Sequence, residues 1–178
     1  MTGLNISHSI DNNIKTIRVA GLVEESIVDG PGIRLVIFTQ GCRHNCPGCH
    51  NPQTHDFRGG YEINIDDILK LLRDNPLLDG ITLSGGDPFE QAENCSYLAK
   101  KVRELGFNVV AYTGYTFENL LIKKKFSKLL ENTDILIDGK FDISEKDLTI
   151  PFRGSKNQRI IDVKKSFEGG RPCLIINQ

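Results

Sequence analysis

The sequence predicts an α/β protein, an open, partial (β/α) barrel built on a mostly parallel sheet. Three observations carry that expectation. Short apolar, β-branched runs alternate with stretches whose apolar residues recur at helical spacing, the pattern of βα units joined by right-handed crossovers. Four or five such units can be counted, fewer than the roughly eight of a closed barrel. The polar, glycine-rich segments also fall where strands end, at the carboxyl edge on which α/β folds assemble their sites.

In chain order, Lys15 to Glu25 carries Ile17, Val19, Leu22 and Val23 as a first extended segment. Asp29-Gly30-Pro31-Gly32 is a turn, and Ile33 to Phe38 is a buried parallel strand that feeds the stretch Gln40 to Pro52 directly. Asn64 is placed to cap a helix whose face carries Ile65, Ile68, Leu69 and Leu72, with Asp67 as a weak capping-box partner. Ile81 to Leu83 is a strand that leaves through Ser84-Gly85-Gly86-Asp87-Pro88. The stripe Phe89, Ala92, Cys95, Leu98, Ala99, Val102 and Leu105 is a helix stopped by Gly106. Asn108 to Tyr112 is the next strand, with Thr113-Gly114-Tyr115 as its exit. Thr116 caps a helix carrying Phe117, Leu120 and Leu121, interrupted near Lys123-Lys124-Lys125. Asp134 to Ile137 leaves through Asp138-Gly139-Lys140, and Ile160-Ile161 and Cys173 to Ile176 give one or two further strands.

Composition bounds the function. At 178 residues the chain is expected to form one domain over 15–178, preceded by a polar, poorly ordered segment 1–14. A formal net charge of −1 gives no global drive toward nucleic acid or a membrane surface, and no apolar run approaches the ~20 residues of a membrane span. Five cysteines, an odd number with no leader pattern ahead of them, point to reduced thiols in a cytoplasm rather than to disulfides.

The chemistry concentrates in Gln40-Gly41-Cys42-Arg43-His44-Asn45-Cys46-Pro47-Gly48-Cys49-His50-Asn51-Pro52. Its three cysteines are spaced C-x3-C-x2-C in a loop rich in glycine, proline and asparagine, a poor setting for buried core thiols. Fully protein-ligated zinc and iron–sulfur sites want four ligands. Three thiolates on a cubane cluster leave one iron open for chemistry. Zinc completed by His50 or His44 is the alternative. Cys95 and Cys173 sit among apolar residues and read as packing, and the lysine run 123–125 reads as a solvated face, with docking as a second possibility.

The spacing C-x3-C-x2-C after a hydrophobic strand resembles the cluster loop of the radical S-adenosylmethionine (SAM) superfamily. More narrowly, VDGPGIR (Val28 to Arg34), QGCRHNCPGCHNP (Gln40 to Pro52), SGGDP (Ser84 to Pro88), YTGYT (Tyr112 to Thr116), DGKF (Asp138 to Phe141) and RGSKNQR (Arg153 to Arg159) resemble the activating proteins of anaerobic ribonucleoside-triphosphate reductase. The resemblance spans Arg18 to Val163 and implies the partial barrel of the radical SAM type. It implies that Cys42, Cys46 and Cys49 ligate a [4Fe–4S] cluster whose open iron chelates SAM. Reductive cleavage then gives methionine and a 5′-deoxyadenosyl radical, which takes hydrogen from a glycine Cα on the large reductase subunit.

SAM contacts are implied for Gly48, Cys49, His50, Ser84, Gly85, Gly86, Asp87, Thr113 and Lys140, with Asp87 accepting from the SAM ammonium. Many superfamily members carry an aromatic residue where this chain has Gly48. His50 either hydrogen-bonds within the loop or is an exposed loop histidine, and Arg153 to Arg159 either helps bind SAM, receives the partner's glycine loop or is a solvated turn. A reduced flavodoxin is the implied electron donor. Activation of another glycyl radical enzyme, such as pyruvate formate-lyase, is the alternative within the superfamily, and a zinc-binding interaction module the alternative outside it.

Overall fold

A computed structural model describes residues 15–175, and the strand order explains why the site lies where it does. The strands are β1 (Thr16–Ser26), β2 (Arg34–Thr39), β3 (Tyr61–Asn64), β4 (Gly80–Gly85), β5 (Asn108–Tyr112), β6 (Ile135–Asp138), β7 (Arg159–Asp162) and β8 (Cys173–Leu174). They form one open sheet in the order β3-β1-β2-β4-β5-β6-β7-β8. The central strands β2, β4, β5 and β6 are parallel, whereas β1, β3, β7 and β8 pair antiparallel on the two flanks. The parallel character predicted for the sheet thus belongs to its centre. The reason is connectivity: parallel neighbours need a helical crossover, and none separates β1 from β2 or β6 from β7.

The crossovers are α1 (Ile65–Asp74), α2 (Ala92–Glu104) and the pair α3 (Phe117–Leu121) and α4 (Lys124–Glu131); α5 (Val163–Gly169) follows β7. Alternation along the central strands separates two faces. Leu35, Ile37, Ile81, Leu83, Val109, Ala111 and Leu136 point into the main core, where Leu98, Phe89, Phe126 and Leu129 of the helical layer meet them. Each such fully buried large side chain contributes roughly 1.5–3 kcal/mol. The opposite face carries a smaller cluster of Val110, Ile137 and Ile160, packed by Tyr112, Ile135 and Phe152. That second face lines the site.

Asn64 caps α1 through its side chain, which accepts from the Asp66 N–H. A return bond from Asp67 is not among the described hydrogen bonds, and aspartate is a methylene shorter than the glutamate that closes such a box. The stripe beginning at Phe89 divides: Pro88–Gln91 is a 3-10 turn capped by Asp87, and only then does α2 start. The interruption predicted near the lysines lies between α3 and α4, where Lys123 is extended (φ −103°). Strand β3 and helix α5 were not predicted. The segment 1–14 and Ile176 lie outside the described residues.

Candidate functional site

The cysteine loop leaves β2 and is tied down at both ends. Gln40, buried, donates through Nε2 to the carbonyls of Gln53 (3.1 Å) and Asp56 (2.6 Å), while its own carbonyl accepts from Gln91 (2.9 Å). The Gly41 and Cys42 N–H groups donate to the Thr54 and His55 carbonyls at 2.8 and 3.2 Å. Between these anchors the chain turns through left-handed positions at Asn45 (φ 47°) and Gly48 (φ 72°), which residues of these types tolerate best. A Cβ at Gly48 would also lie 2.6 Å from Ile143 Cδ1.

The exit of β4 is stitched against this loop. Gly86 N donates to the Thr39 carbonyl at 2.7 Å and Asp87 N to the Gly41 carbonyl at 2.9 Å. A Cβ on Gly86 would come within 2.9 Å of the Gly41 carbonyl carbon, and one on Gly85 within 2.6 Å of the Phe38 carbonyl carbon. Two glycines are therefore required for the backbones to meet. The result is a wall of bare main chain facing the cysteines.

Asp87 organises that wall from behind. Its carboxylate is fully buried and accepts from Phe89 N (2.9 Å), Thr113 Oγ1 (2.9 Å), Gly114 N (3.0 Å) and His44 Nε2 (2.7 Å). Four donors fill the lone pairs of two oxygens. One side chain thus joins the cysteine loop, the β4 exit and the β5 exit, and it does not line the cavity. The ring of His44 packs edge-on to Tyr115 at 4.5 Å, and it leaves no room for a side chain at Gly114.

The cavity enclosed by these exits measures about 610 Å³. Cys42, Cys46, Cys49, His50, Ser84, Gly85, Gly86 and Thr113 line it, together with Tyr112, Phe141 and Arg153. Ile27, Val28, Leu148 and Ile150 also border it, and the first three are strongly exposed. Gly48 packs instead beneath Ile143 and Phe141. Lys140 lines a neighbouring hollow of about 420 Å³ with Tyr115, Asn119, Asp138 and Arg159. His50 is exposed and tilts against Phe141 at 4.8 Å.

All five cysteines are free, and the three in the loop are partly buried. Burial pushes the Cys42 thiol up to about 11, and it raises Cys46 as well, opposed by the Phe141 N–H and by the charge on Lys140. Such thiols stay protonated at neutral pH until a metal displaces the proton. Among the described residues no three His, Cys, Asp or Glu side chains gather around one point as a lone ion requires. The three loop cysteines all line the one cavity.

Two arginines frame the site; the role of Arg34 was not predicted, whereas Arg153 belongs to the loop for which ligand binding was one of the expected roles. Arg34 is fully buried on the site face and bonds Thr82 Oγ1 (3.2 Å), the carbonyls of Pro31 and Ile81, and Asn108. Thr82 Oγ1 in turn donates to the Asp29 carbonyl (2.8 Å), so Arg34 and Thr82 fix the turn that carries Val28 and Asp29. Burial draws the guanidinium down to about 10, so it remains charged at neutral pH. Arg153 donates from a terminal nitrogen to the Gln158 carbonyl (3.2 Å), while its Nε is buried without a partner. An orphaned donor in a cavity wall is a place for an acceptor on a ligand.

Residues 28–161 match the family model described as a 4Fe-4S single cluster domain. The anaerobic ribonucleoside-triphosphate reductase-activating protein of Enterobacteria phage T4 is 36% identical over 141 residues, covering 75% of this chain and 86% of its own. The protein of the same name from Escherichia coli is 35% identical over 141 residues, covering 74% and 90%. The pyruvate formate-lyase-activating enzyme of Clostridium pasteurianum is 36% identical over 126 residues, covering 67% of this chain and 50% of its own.

Proposed function

This chain belongs to the family of anaerobic ribonucleoside-triphosphate reductase-activating proteins, and from that premise we propose that it generates the glycyl radical of such a reductase, using a [4Fe–4S] cluster and SAM. The observation that carries the proposal is the set of three free thiols on one glycine-walled cavity, a donor set and volume that fit a cluster with one iron left to a ligand. When bound, the cluster supplies the electron that cleaves SAM to methionine and a 5′-deoxyadenosyl radical, which takes hydrogen from a glycine Cα.

The chain's own residues bind and orient. Cys42, Cys46 and Cys49 hold the cluster. The backbone of Ser84, Gly85 and Gly86 meets the amino-acid end of SAM, with Thr113 beside it. Asp87, whose lone pairs are filled internally, positions this wall rather than accepting from the SAM ammonium. Phe141 and His50, whose rings meet at 4.8 Å on the cavity wall, supply the aromatic contacts that Gly48 lacks, and they are our choice for the nucleoside end. The unpaired Arg153 Nε awaits an acceptor on SAM or on the incoming peptide. The exposed apolar lip of Ile27, Val28 and Leu148 suits a protein segment as substrate.

Coverage favours the reductase over pyruvate formate-lyase as target, since the chain spans 86% and 90% of the two reductase activators but half of the lyase activator. His44 is committed to Asp87, which weakens its candidacy as a zinc ligand. We place the protein in the cytoplasm, with a reduced flavodoxin as donor and neither nucleic acid nor membrane as partner; no described helix is long and apolar enough to cross a membrane. The test is isotopic. Reductase subunit labelled with α-deuterated glycine, mixed anaerobically with reconstituted protein, dithionite and SAM, should yield deuterated 5′-deoxyadenosine. Unlabelled deoxyadenosine would remove the reductase glycine as the hydrogen source.

A further inference from the structure

The lysine run between α3 and α4 takes no part in the site just described, and its setting is not that of an ordinary solvated face. Lys123, Lys124, Lys125 and Lys128 are all exposed, and beside them Ile122 is 78% and Leu121 45% exposed. No ion pair among the described residues engages any of the four lysines. Lys124 and Lys125 occupy the first turn of α4, which holds no acidic residue and has no side-chain cap. Cations at that end oppose the helix dipole, where a sequence shaped for stability alone would place Asp or Glu. In a chain of net charge −1 the local excess is pronounced.

The same stretch is connected to the cysteine loop by aromatic rings. Lys123 Nζ sits 5.0 Å from the Tyr115 ring centroid, Tyr115 packs on Phe126 at 5.0 Å, and Tyr115 meets His44 at 4.5 Å. His44 lies two residues from both Cys42 and Cys46, and only 7% of its side chain is exposed. None of the lysines lines the cavity, so a partner seated on them leaves the site open to its substrate segment.

We propose that the Leu121–Lys125 stretch, with Lys128, is the docking surface for an acidic one-electron carrier protein. This rests on the reading of the cysteine loop as a cluster site. The carrier's acidic rim pairs with the lysines, and its apolar centre meets Leu121 and Ile122. One electron passes from the reduced carrier to the cluster, oxidising the carrier by one equivalent and transferring no atom. Charge complementarity selects the partner, and the short ring path behind the patch selects an electron carrier over the reductase subunit.

The test uses the reconstituted protein and a flavodoxin as probe. Binding is followed anaerobically by calorimetry at several salt concentrations, and cluster reduction by stopped-flow absorbance. Changing Lys123, Lys124 and Lys125 together to Glu should weaken flavodoxin binding at least tenfold and abolish most of its salt dependence. Reduction by flavodoxin should slow at least tenfold, while SAM cleavage driven by dithionite stays within twofold of wild type. The triple Lys→Arg variant should bind as wild type does. If the Glu variant misfolds, the triple Lys→Gln variant serves, with a smaller loss in the same direction. Binding and reduction rates within twofold of wild type for either variant would overturn the proposal. So would loss of glycyl-radical formation under dithionite, which would assign the patch to the reductase subunit. Failure of the wild-type protein to assemble a cluster or cleave SAM under dithionite would defeat the activase reading instead, and the binding isotherms would still judge the docking surface.

Discussion

Replacing Gly114 by alanine should loosen the cysteine loop through a single methyl group. The backbone there is not left-handed, so a Cβ brings no conformational strain. It would lie 2.6 Å from His44 Cγ and 2.7 Å from His44 Nε2, against the 3.4–4 Å of ordinary contact. The ring must therefore retreat by nearly an ångström, and it is wedged between Tyr115 and Asp87. The 2.7 Å bond to the buried Asp87 carboxylate is what gives way. Bonds of that kind contribute about 1.5–3 kcal/mol, which for a chain of this size is a fall of roughly 3–12 °C in Tm.

The cause can be isolated with a double-mutant cycle. His44→Ala alone loses the same bond but makes space, so the double variant should be no less stable than His44→Ala. The two single losses will then fail to add by about 1–3 kcal/mol. Urea unfolding of the four proteins, with iron content after reconstitution as a second readout, measures this. A Gly114→Ala protein as stable as wild type, or simple additivity in the cycle, would refute the claim that His44 is clamped between these exits.

Other perturbations separate the roles of neighbouring residues. Cys42→Ala, Cys46→Ala and Cys49→Ala should each lose most of the iron and sulfide taken up on reconstitution, while Cys95→Ala, inside the core, should keep both and cost only about 1–2 kcal/mol. Arg34→Met removes the hydrogen bonds that the buried guanidinium gives to Thr82 Oγ1, the Ile81 carbonyl and Asn108, and should destabilise by about 1–3 kcal/mol in urea titrations. The Arg159 guanidinium, hydrogen-bonded to Glu118 through two nitrogens, draws that carboxyl from its ordinary 4.5 down to about 2. Its folded value is depressed, so the stabilisation is present above pH 4.5 and is lost as pH falls toward 2. Glu118 is half exposed, so the effect is no more than about 1 kcal/mol; Glu118→Gln should lose that amount at pH 7 and show a flatter acid limb in pH-dependent unfolding.

Much of this architecture is legible in the sequence because it rests on local rules. Ile33 to Phe38 and Asn108 to Tyr112 are apolar, β-branched runs that suit the centre of a sheet, and Thr116 and Asn64 are caps with their partners two or three residues away. What escaped is either weakly patterned or long-range. Tyr61 to Asn64 is short, polar and half exposed, and becomes a strand only because β1 offers it an edge. Helix α5 buries just Val163 and Ser166 and carries almost no periodic signal. The site's frame depends on pairs that no local window contains, such as His44 with Asp87, 43 residues apart, and Arg34 with Asn108, 74 apart. For the same reason Asp87 was expected to face a ligand: its sequence setting shows a carboxylate at a strand exit, and only the fold brings two distant segments, the cysteine loop through His44 and the β5 exit through Thr113 and Gly114, to fill the lone pairs that the local Phe89 N–H leaves open.

The central claim is that the three thiols of the cysteine loop serve to place a radical on another protein. It is tested most directly by electron paramagnetic resonance on the reductase subunit after anaerobic incubation with the reconstituted protein, SAM and reductant. The expected result is a glycyl-radical doublet that disappears when Cys42, Cys46 or Cys49 is changed to Ala. A protein that binds zinc in place of iron, cleaves no SAM and leaves the subunit without a signal would contradict it.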